Sequence, residues 1–461
     1  MSASSVVVES GPAVSATTRT LLPRLGLLGV VFFGLAYMAP GIVSSTFGVV
    51  AQTSNGAAPT AYLLATGAMV LTAISYAVLA RQFPSAGSAY TYAGHILGKT
   101  VGFFAGWVIL LDYLFLPMVA WLITSIYLNA QFPGIPIWVW LLINIGATTA
   151  INLLGIALAD RVNMVLTIVA MASVVAMAIV MMIFLGNSAG GGNAGGVGSA
   201  LWNEHTSLVA ISSAAAVAAY SFLGFDAIST LSEETKNPRR NIPLGIVVSV
   251  VIGGLIFVGV SFLMQLVQPG GTFDNPDTAG YTISILAGGE TFTNVNNLIS
   301  LIAGFGSGLA IQATSSRLLF VMGRDGVLPP RIFGRLSATF RVPWINILLI
   351  AAIGLIGSVL DIEWATSMIN FGAFLAFAVV NLAFLVWLWR RRIPQRSAVL
   401  TALASLIPLA GIVVDLYLFS RLHPQAYIIG GSWLALGVLI LAFTTRGFRR
   451  PVPALSDSLD A

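Results

Sequence analysis

The chain has 461 residues, of which 57% are hydrophobic and 8% charged, with a net charge of +5. Soluble domains carry about 25% charged residues, so this chain has too few charges to cover a water-exposed surface. The composition excludes a cytosolic enzyme and a disordered chain. It also excludes a nucleic-acid-binding protein, because the basic residues are dispersed between apolar segments. Cysteine is absent and the three histidines are scattered, which argues against a metal site or other cofactor.

Twelve apolar segments, named here runs 1 to 12, have about the 20 residues that a membrane-spanning helix needs. Their polarity does not alternate with a period of two, which argues against a β-barrel. We therefore predict an all-α integral membrane protein with twelve transmembrane helices. The runs cover residues 26–52, 60–80, 100–129, 136–156, 162–185, 207–231, 242–267, 292–322, 344–360, 365–389, 398–419 and 425–445.

Lysine and arginine predict the orientation, because cytoplasmic loops are enriched in them. With a cytoplasmic N-terminus, the alternation of twelve runs puts 20 of the 21 basic residues on the cytoplasmic side, and only Arg421 on the outer side. We therefore predict a multi-pass protein of the inner (plasma) membrane with both termini in the cytoplasm.

Two runs carry helix-breaking residues near their middle. Run 1 contains GLAYMAPG at 34–41, where Pro40 lacks an N–H and Gly41 permits unusual backbone angles. Run 6 contains YSFLGFD at 220–226, with Gly224 before an acid. Breaks five helices apart predict two units of inverted topology, with a substrate site where the breaks meet. The alternative is that these residues only kink their helices.

The broken ends predict the chemistry of the site. Half-helix N-termini present free N–H groups that suit a carboxylate, and half-helix C-termini present carbonyls that suit an ammonium. An amino acid can use both ends, whereas a polyamine needs carbonyls, carboxylates and aromatic faces. Four aromatic residues at the breaks can stack on an ammonium or act as a gate, or else simply pack: Tyr37, Tyr220, Phe222 and Phe225.

Three acids lie inside apolar runs, where ionisable residues are costly and are functional candidates by default. Asp112 in run 3 is a candidate counter-ion for a substrate amine or a proton carrier, the alternative being a hydrogen bond to a neighbouring helix. Asp226 follows the break in run 6 and is a candidate for a group that takes up and releases a proton. The alternative is a hydrogen bond that ties two helices together. Asp415 lies near the outer end of run 11, where we expect it to reach the interface in a structural role.

The loop between runs 6 and 7 carries opposite charges. Glu233 and Glu234 precede Lys236, Arg239 and Arg240. We predict a salt-bridge cluster that closes an inner gate, the alternative being solvated charge.

Five segments carry a resemblance to a known family. They are FPSAGSAYTYAG (83–94), GWVILLDYLFLP (106–117), SFLGFDAISTLSEETKNPRRNIP (221–243), SRLLFVMGRDGVLP (316–329) and INFGAFLAFAVVN (369–381). With these segments the chain resembles the amino acid–polyamine–organocation superfamily over about residues 20–445, and within it the bacterial putrescine importer branch.

The resemblance implies a LeuT-like fold of two inverted five-helix repeats followed by two extra helices. The corresponding boundaries are a disordered cytoplasmic N-terminus at 1–20, a transporter core at 21–389, helices 11 and 12 at 390–447, and a cytoplasmic tail at 448–461.

The resemblance also implies site residues. The substrate-backbone motif of the family falls on Ala39, Pro40 and Gly41, which depart from the usual Gly-Ser-Gly and favour an amine over carboxylate capture. The aromatic gate falls on Tyr220. In the putrescine importers an acid follows the first break near the position of Ser45. The serine here provides no counter-ion for a second ammonium, so a monoamine or an amino acid is an alternative substrate. The predicted substrate site is Tyr37, Ala39, Pro40, Gly41, Asp112, Tyr220, Ser221, Phe222 and Gly224, and the predicted coupling and gating residues are Asp226, Tyr220, Glu233 and Glu234.

We therefore predict a secondary active importer of a putrescine-like amine or an amino acid, coupled to protons and needing no cofactor. An amino acid exchanger of the same superfamily is the alternative. A membrane enzyme is disfavoured because no nucleophile–base or metal cluster lies in the runs. A channel is disfavoured because no continuous polar pore is evident. The expected partners are the small-molecule substrate and the lipid bilayer.

Overall fold

The computed structural model describes residues 25–84, 88–155, 160–187, 196–324, 328–390, 398–447 and 449. The predicted N-terminal tail and almost all of the predicted C-terminal tail lie outside these residues. The α-helices are α1 (Leu27–Met38), α2 (Ile42–Thr53), α3 (Ala58–Gln82), α4 (Ser88–Leu97), α5 (Lys99–Gln131), α6 (Ile137–Leu153), α7 (Asp160–Asn187), α8 (Gly196–Ser199), α9 (Leu208–Ala218), α10 (Pro238–Val267), α11 (Ala279–Arg324), α12 (Pro330–Phe333), α13 (Trp344–Gly354), α14 (Ile362–Arg390), α15 (Ala398–Phe419) and α16 (Pro424–Thr444). Short 3₁₀ helices are Ala219–Phe222, Asp226–Glu233, Pro276–Thr278 and Leu355–Val359.

The described residues form a helical membrane protein, as predicted. Nine of their helical segments are long and apolar enough to cross a membrane, and the pair α1–α2, bent by 47°, makes a tenth if it is counted as one span. Helix α6 and the segment Trp344–Val359 are apolar but no longer than 17 residues. Helices satisfy their own backbone groups, which lipid cannot do. The count of twelve spans stays a prediction, because it requires both short helices to cross.

Helix α5 is the most buried of the candidate spans and lies at the centre of the bundle. Its Trp107 stacks on Trp433 of α16 with ring centroids 4.7 Å apart. Each indole N–H donates to the backbone carbonyl of the other tryptophan, at 2.8 Å in both directions. By contrast, the outer surface carries large apolar side chains such as Phe443, which is 87% exposed. A soluble protein would bury such side chains, whereas lipid accepts them.

Asp415 does not reach the interface, so that expectation is wrong. The side chain is fully buried, and its Oδ2 accepts hydrogen bonds from Thr72 Oγ1 at 3.0 Å and Asn381 Nδ2 at 2.9 Å. Asn381 Nδ2 also donates to Thr72 Oγ1 at 2.9 Å. The three residues join α3, α14 and α15, because a buried acid needs hydrogen-bond partners and finds them on neighbouring helices.

Asp415→Ala is expected to destabilise the protein by roughly 2–4 kcal/mol, because two buried donors lose their acceptor. The thermal unfolding midpoint of the purified protein in detergent measures the effect. Asp415→Asn, which keeps an acceptor oxygen at the same place, is the matched control and should cost less than half as much. Equal melting temperatures for wild type and Asp415→Ala would show that the network contributes nothing to stability.

The segments that precede α1 and α10 are joined by backbone pairing. Leu25 N donates to Glu234 O at 3.0 Å, and Lys236 N donates to Leu25 O at 2.8 Å, so the segment before α1 forms a single parallel bridge with the segment before α10. The side chain of Glu233 lies outside the described part of the structure. The bonds between Leu25 and the loop predicted as an inner gate are therefore made by main-chain groups.

Candidate functional site

Run 1 breaks at Ala39–Gly41, between α1 and α2. Ala39 has left-handed backbone angles, with φ 46° and ψ 81°. Pro40 has no N–H to offer the carbonyl of Ala36, which instead accepts from Ala39 N at 3.3 Å. A proline also disfavours the helical conformation for the residue before it. The break therefore leaves the last carbonyls of α1 and the first N–H groups of α2 near one another.

Run 6 breaks at Leu223–Phe225, and beyond the break it continues as a 3₁₀ helix. Leu223 turns out of the helix with ψ 138°, and Gly224 has φ +105°, which a residue with a side chain rarely adopts. Ser229 Oγ donates to Asp226 O, and Thr230 Oγ1 to Ala227 O, both at 2.6 Å. Such local hydroxyl bonds compete with the regular helical pattern. The sequence predicted the break but not the tighter helix after it.

The two breaks face each other. A side-chain carbon added at Gly224 would overlap the ring of Tyr37, so that ring lies directly against the Gly224 backbone. One turn earlier on α1, Gly34 is packed against Ile228 and Ser249 in the same way. The first half of run 1 therefore lies along the second half of run 6, with little space between them.

A cavity of about 150 Å³ opens at the first break. Parts of α1, α2, α5, α7, α11 and the 3₁₀ turn after α9 form its wall. Five of the predicted substrate-site residues line it: Tyr37, Ala39, Pro40, Gly41 and Tyr220. The other four lie outside the lining: Asp112, Ser221, Phe222 and Gly224.

The lining contains hydroxyl and carboxamide groups but, among the described residues, no Asp, Glu, Lys, Arg or His. Most of these polar groups come from the side of the cavity that α2, α7 and α11 form. They are Ser44, Ser45, Ser173, Asn296, Asn297 and Ser300, and the predicted substrate site includes none of them. A signal existed in run 8, where polar residues recur at positions 293, 296, 297, 300 and 307, a helical spacing that marks one face of an otherwise apolar helix.

The start of α11 covers this polar side. A side-chain carbon at Gly280 would collide with the backbone of Ser44, so α11 begins in direct contact with α2. Tyr281 Oη donates to Asn294 Oδ1 at 2.6 Å across the kink at Gly289, whose φ is +76°. The kink folds the first turns of α11 back over the rest of the helix.

Asp112 and Asp226 are outside the cavity lining but within electrostatic reach of Tyr37, which is part of it. They are 4% and 2% exposed, and one carboxylate oxygen of each has no hydrogen-bond partner among the described residues. The two acids lie within electrostatic reach of each other. Tyr37 and Tyr220, which line the cavity, both lie within electrostatic reach of Asp112. An ammonium at the break would therefore have a carboxylate nearby.

The described side chains include no cluster of three or more His, Asp or Glu that could hold a metal ion. The hydroxyl and carboxamide groups around the cavity can donate and accept hydrogen bonds with a small organic molecule. A bundle of apolar helices with two opposed breaks around such a cavity defines a membrane permease.

Comparison with known proteins identifies the family. Residues 29–453 match the amino acid permease family. The low-affinity putrescine importer PlaP of Escherichia coli strain K12 is 37% identical over 96% of this chain and 98% of its own length. The branched-chain amino acid permease BcaP of Bacillus subtilis strain 168 is 24% identical over 94% of this chain and 95% of its own. The chain belongs to the amino acid permease family of the amino acid–polyamine–organocation superfamily, and it is a transporter, not an enzyme.

Proposed function

We propose that the protein is a secondary active importer of an amine or an amino acid, working by alternating access in the inner membrane. The observation that supports the proposal most is the cavity at the break of run 1. The break of run 6 packs against Tyr37, which lines this cavity. The relatives named for putrescine and branched-chain amino acids support the substrate class.

In this proposal the substrate ammonium binds the free carbonyls at the end of α1, where the helix dipole is negative. Asp112 is within electrostatic reach of Tyr37 and Tyr220 and would add a negative charge near the same end of the cavity. A substrate carboxylate, where present, would meet the N–H groups at the start of α2. Tyr220 closes over the bound substrate as a gate.

Proton coupling is assigned to Asp226, with Asp112 as its neighbour. The two buried acids are within electrostatic reach of each other. The charge of one therefore affects whether the other is protonated. A proton taken up by Asp226 would change the packing of the segment after the second break. The backbone bridge between Leu25 and Glu234 would then open and release the substrate at that end of the bundle.

The proposed arrangement has twelve spans in two inverted five-helix repeats plus two further helices, with both termini cytoplasmic. It requires α6 and Trp344–Val359 to cross the membrane although neither is longer than 17 residues. The end at which Leu25 meets Glu234 is then the cytoplasmic end, so the chain is closed toward the cytoplasm.

Uptake by purified protein in proteoliposomes tests the proposal. Radiolabelled putrescine and a panel of amino acids are offered with the outside acidic, with and without an uncoupler, in sodium-free buffer. We expect uptake of at least one compound above that of empty liposomes, and loss of accumulation with the uncoupler. Uptake insensitive to the uncoupler would exclude proton coupling. No uptake of any compound would exclude the transport proposal, and uptake only into vesicles preloaded with substrate would indicate an exchanger.

A further inference from the structure

Asn370 of α14 is hydrogen-bonded to the end of α9, just before the break of run 6. Its side chain is 1% exposed, and its Nδ2 donates to Ala216 O at 2.7 Å, across 154 positions of the chain. Asn370 itself is not in the cavity lining. We infer that Asn370 is a positioning residue for the cavity, because it holds the turn that places Tyr220 and Leu223 in the wall. This inference rests on the proposed transport function and adds a residue to the same site.

The first step is the backbone pairing where α9 ends. The last α-helical bond of α9 joins Ala219 N to Ala215 O. In a continuing α-helix the next amide, Tyr220 N, would donate to Ala216 O. Tyr220 belongs instead to the 3₁₀ turn Ala219–Phe222, in which an amide pairs with the third residue before it. Ala216 O therefore loses its helical donor, and a buried carbonyl without a donor is costly.

The second step is that Asn370 supplies the missing donor. Ala216 O can only accept, so the carboxamide presents its Nδ2 to it, and Oδ1 of Asn370 has no hydrogen-bond partner among the described residues. The bond stabilises the change from α-helix to 3₁₀ turn at this point. Without it, Ala216 O regains a donor only if Tyr220 N returns to it, which extends α9 and turns the side chains that follow.

The third step is that Asn370 lies on a firmly packed part of α14. A side-chain carbon added at Gly372 would collide with the backbone carbonyl of Val108 on α5. A side-chain carbon added at Gly430 of α16 would overlap the ring of Phe371. Two neighbouring helices therefore contact α14 closely right after Asn370, and close packing of this kind resists displacement. Asn370 is thus a fixed point from which the end of α9 is held.

The fourth step is what the held turn carries. Tyr220 and Leu223 both line the cavity, and Leu223 N donates to Tyr220 O at 3.1 Å. Phe222 between them is fully buried and packs edge-on against Phe257, with ring centroids 5.0 Å apart. A turn that returned toward the α-helical pattern would shift the proposed gate and the adjoining wall together.

The test uses the absence of cysteine from the chain. Leu223→Cys places a single thiol in the cavity wall, at a residue that is 3% exposed. The rate at which a methanethiosulfonate reagent labels this thiol is measured in the purified full chain, with and without Asn370→Leu, which keeps the size of asparagine but has no donor. We expect Asn370→Leu to raise the labelling rate by at least about fivefold, the scale of one lost hydrogen bond.

Asn346→Leu is the matched control. Asn346 on α13 is also fully buried, its Oδ1 has no partner among the described residues, and its Nδ2 donates to the backbone carbonyls of Ser316 and Phe333. Because α13 is not part of the cavity lining, we expect Asn346→Leu to lower the thermal unfolding midpoint but to leave the labelling rate within about twofold. An equal rise in both variants, or no rise with Asn370→Leu, overturns the inference. Asn370→Ala and Asn346→Ala repeat the comparison if a leucine variant does not fold.

Uptake gives a second readout, which a purely structural role would not move. With radiolabelled putrescine or L-leucine as the probe and no cysteine introduced, we expect Asn370→Leu to raise KM by at least about fivefold and Asn346→Leu to leave KM unchanged. An unchanged KM in Asn370→Leu also overturns the inference and leaves the transport proposal standing. If wild-type protein takes up neither probe, the labelling comparison still decides the role of Asn370, and the wider uptake panel decides the transport proposal separately.

Discussion

Replacing Asp226 with asparagine is expected to lower proton-driven uptake by at least about a hundredfold, the scale on which a positioned proton carrier contributes. The carboxyl group is 2% exposed and its Oδ2 has no hydrogen-bond partner among the described residues. Asparagine has the same shape but cannot take up or release a proton. The protein should therefore fold normally while accumulation of substrate is lost. Uptake into proteoliposomes with the outside acidic measures the effect.

Asp415→Asn is the matched control for this prediction, because Asp415 is also a buried acid in an apolar helix, but its Oδ2 accepts hydrogen bonds from Thr72 and Asn381 on α3 and α14 and it does not line the cavity. We expect it to retain uptake within about threefold of wild type, since its role is structural. Exchange of substrate across the membrane at equal pH on both sides should survive in Asp226→Asn better than accumulation does. Normal accumulation by Asp226→Asn at every pH would show that Asp226 only stabilises the fold.

Gly224→Ala is expected to reduce uptake by at least about tenfold and to destabilise the protein by roughly 1–3 kcal/mol. Two physical effects add at this position. The backbone has φ +105°, which strains any residue with a side chain, and the new carbon overlaps the ring of Tyr37. The ring must move, and because Tyr37 lines the cavity, the cavity wall changes with it. Uptake and the thermal unfolding midpoint measure the two consequences.

Gly259→Ala is the control for this substitution, because the same carbon meets nothing there and the backbone angles are ordinary for a helix. It should leave uptake unchanged and should raise the stability by about 0.5–1 kcal/mol, opposite in sign to Gly224→Ala, because alanine favours a helix interior over glycine. In a Tyr37→Ala background the overlap is absent but the strained φ remains, so Gly224→Ala should cost less stability there than in the wild type, but still some. A Gly224→Ala protein as stable and active as wild type would mean that the contact between the breaks carries no function.

The sequence predicts features that each helix carries within itself. Pro40 and Gly41 in an apolar segment predict the break of run 1, and Gly224 predicts the break of run 6. In both cases the chemistry that stops the helix is local. The helical membrane architecture follows for the same reason, because length and hydropathy decide whether a segment can cross lipid.

The sequence does not predict how helices far apart in the chain meet. Asp415 was expected at the interface from its position in run 11, but its partners Thr72 and Asn381 belong to other helices. The polar side of the cavity has the same origin, since Ser45 and Ser300 come together only when α2 and α11 pack. Asp112 was predicted in the substrate site, and only the packed structure shows that its side chain is outside the cavity lining.

The bridge at Leu25 has a consequence for how this end of the molecule tolerates mutation. Its two bonds join amide and carbonyl groups, which every amino acid except proline supplies, so side-chain replacement at Leu25 or Lys236 leaves both bonds available. Proline at either position would delete one donor. Deuterium uptake at these two amides would therefore report how often the end separates, independently of which ligand is transported.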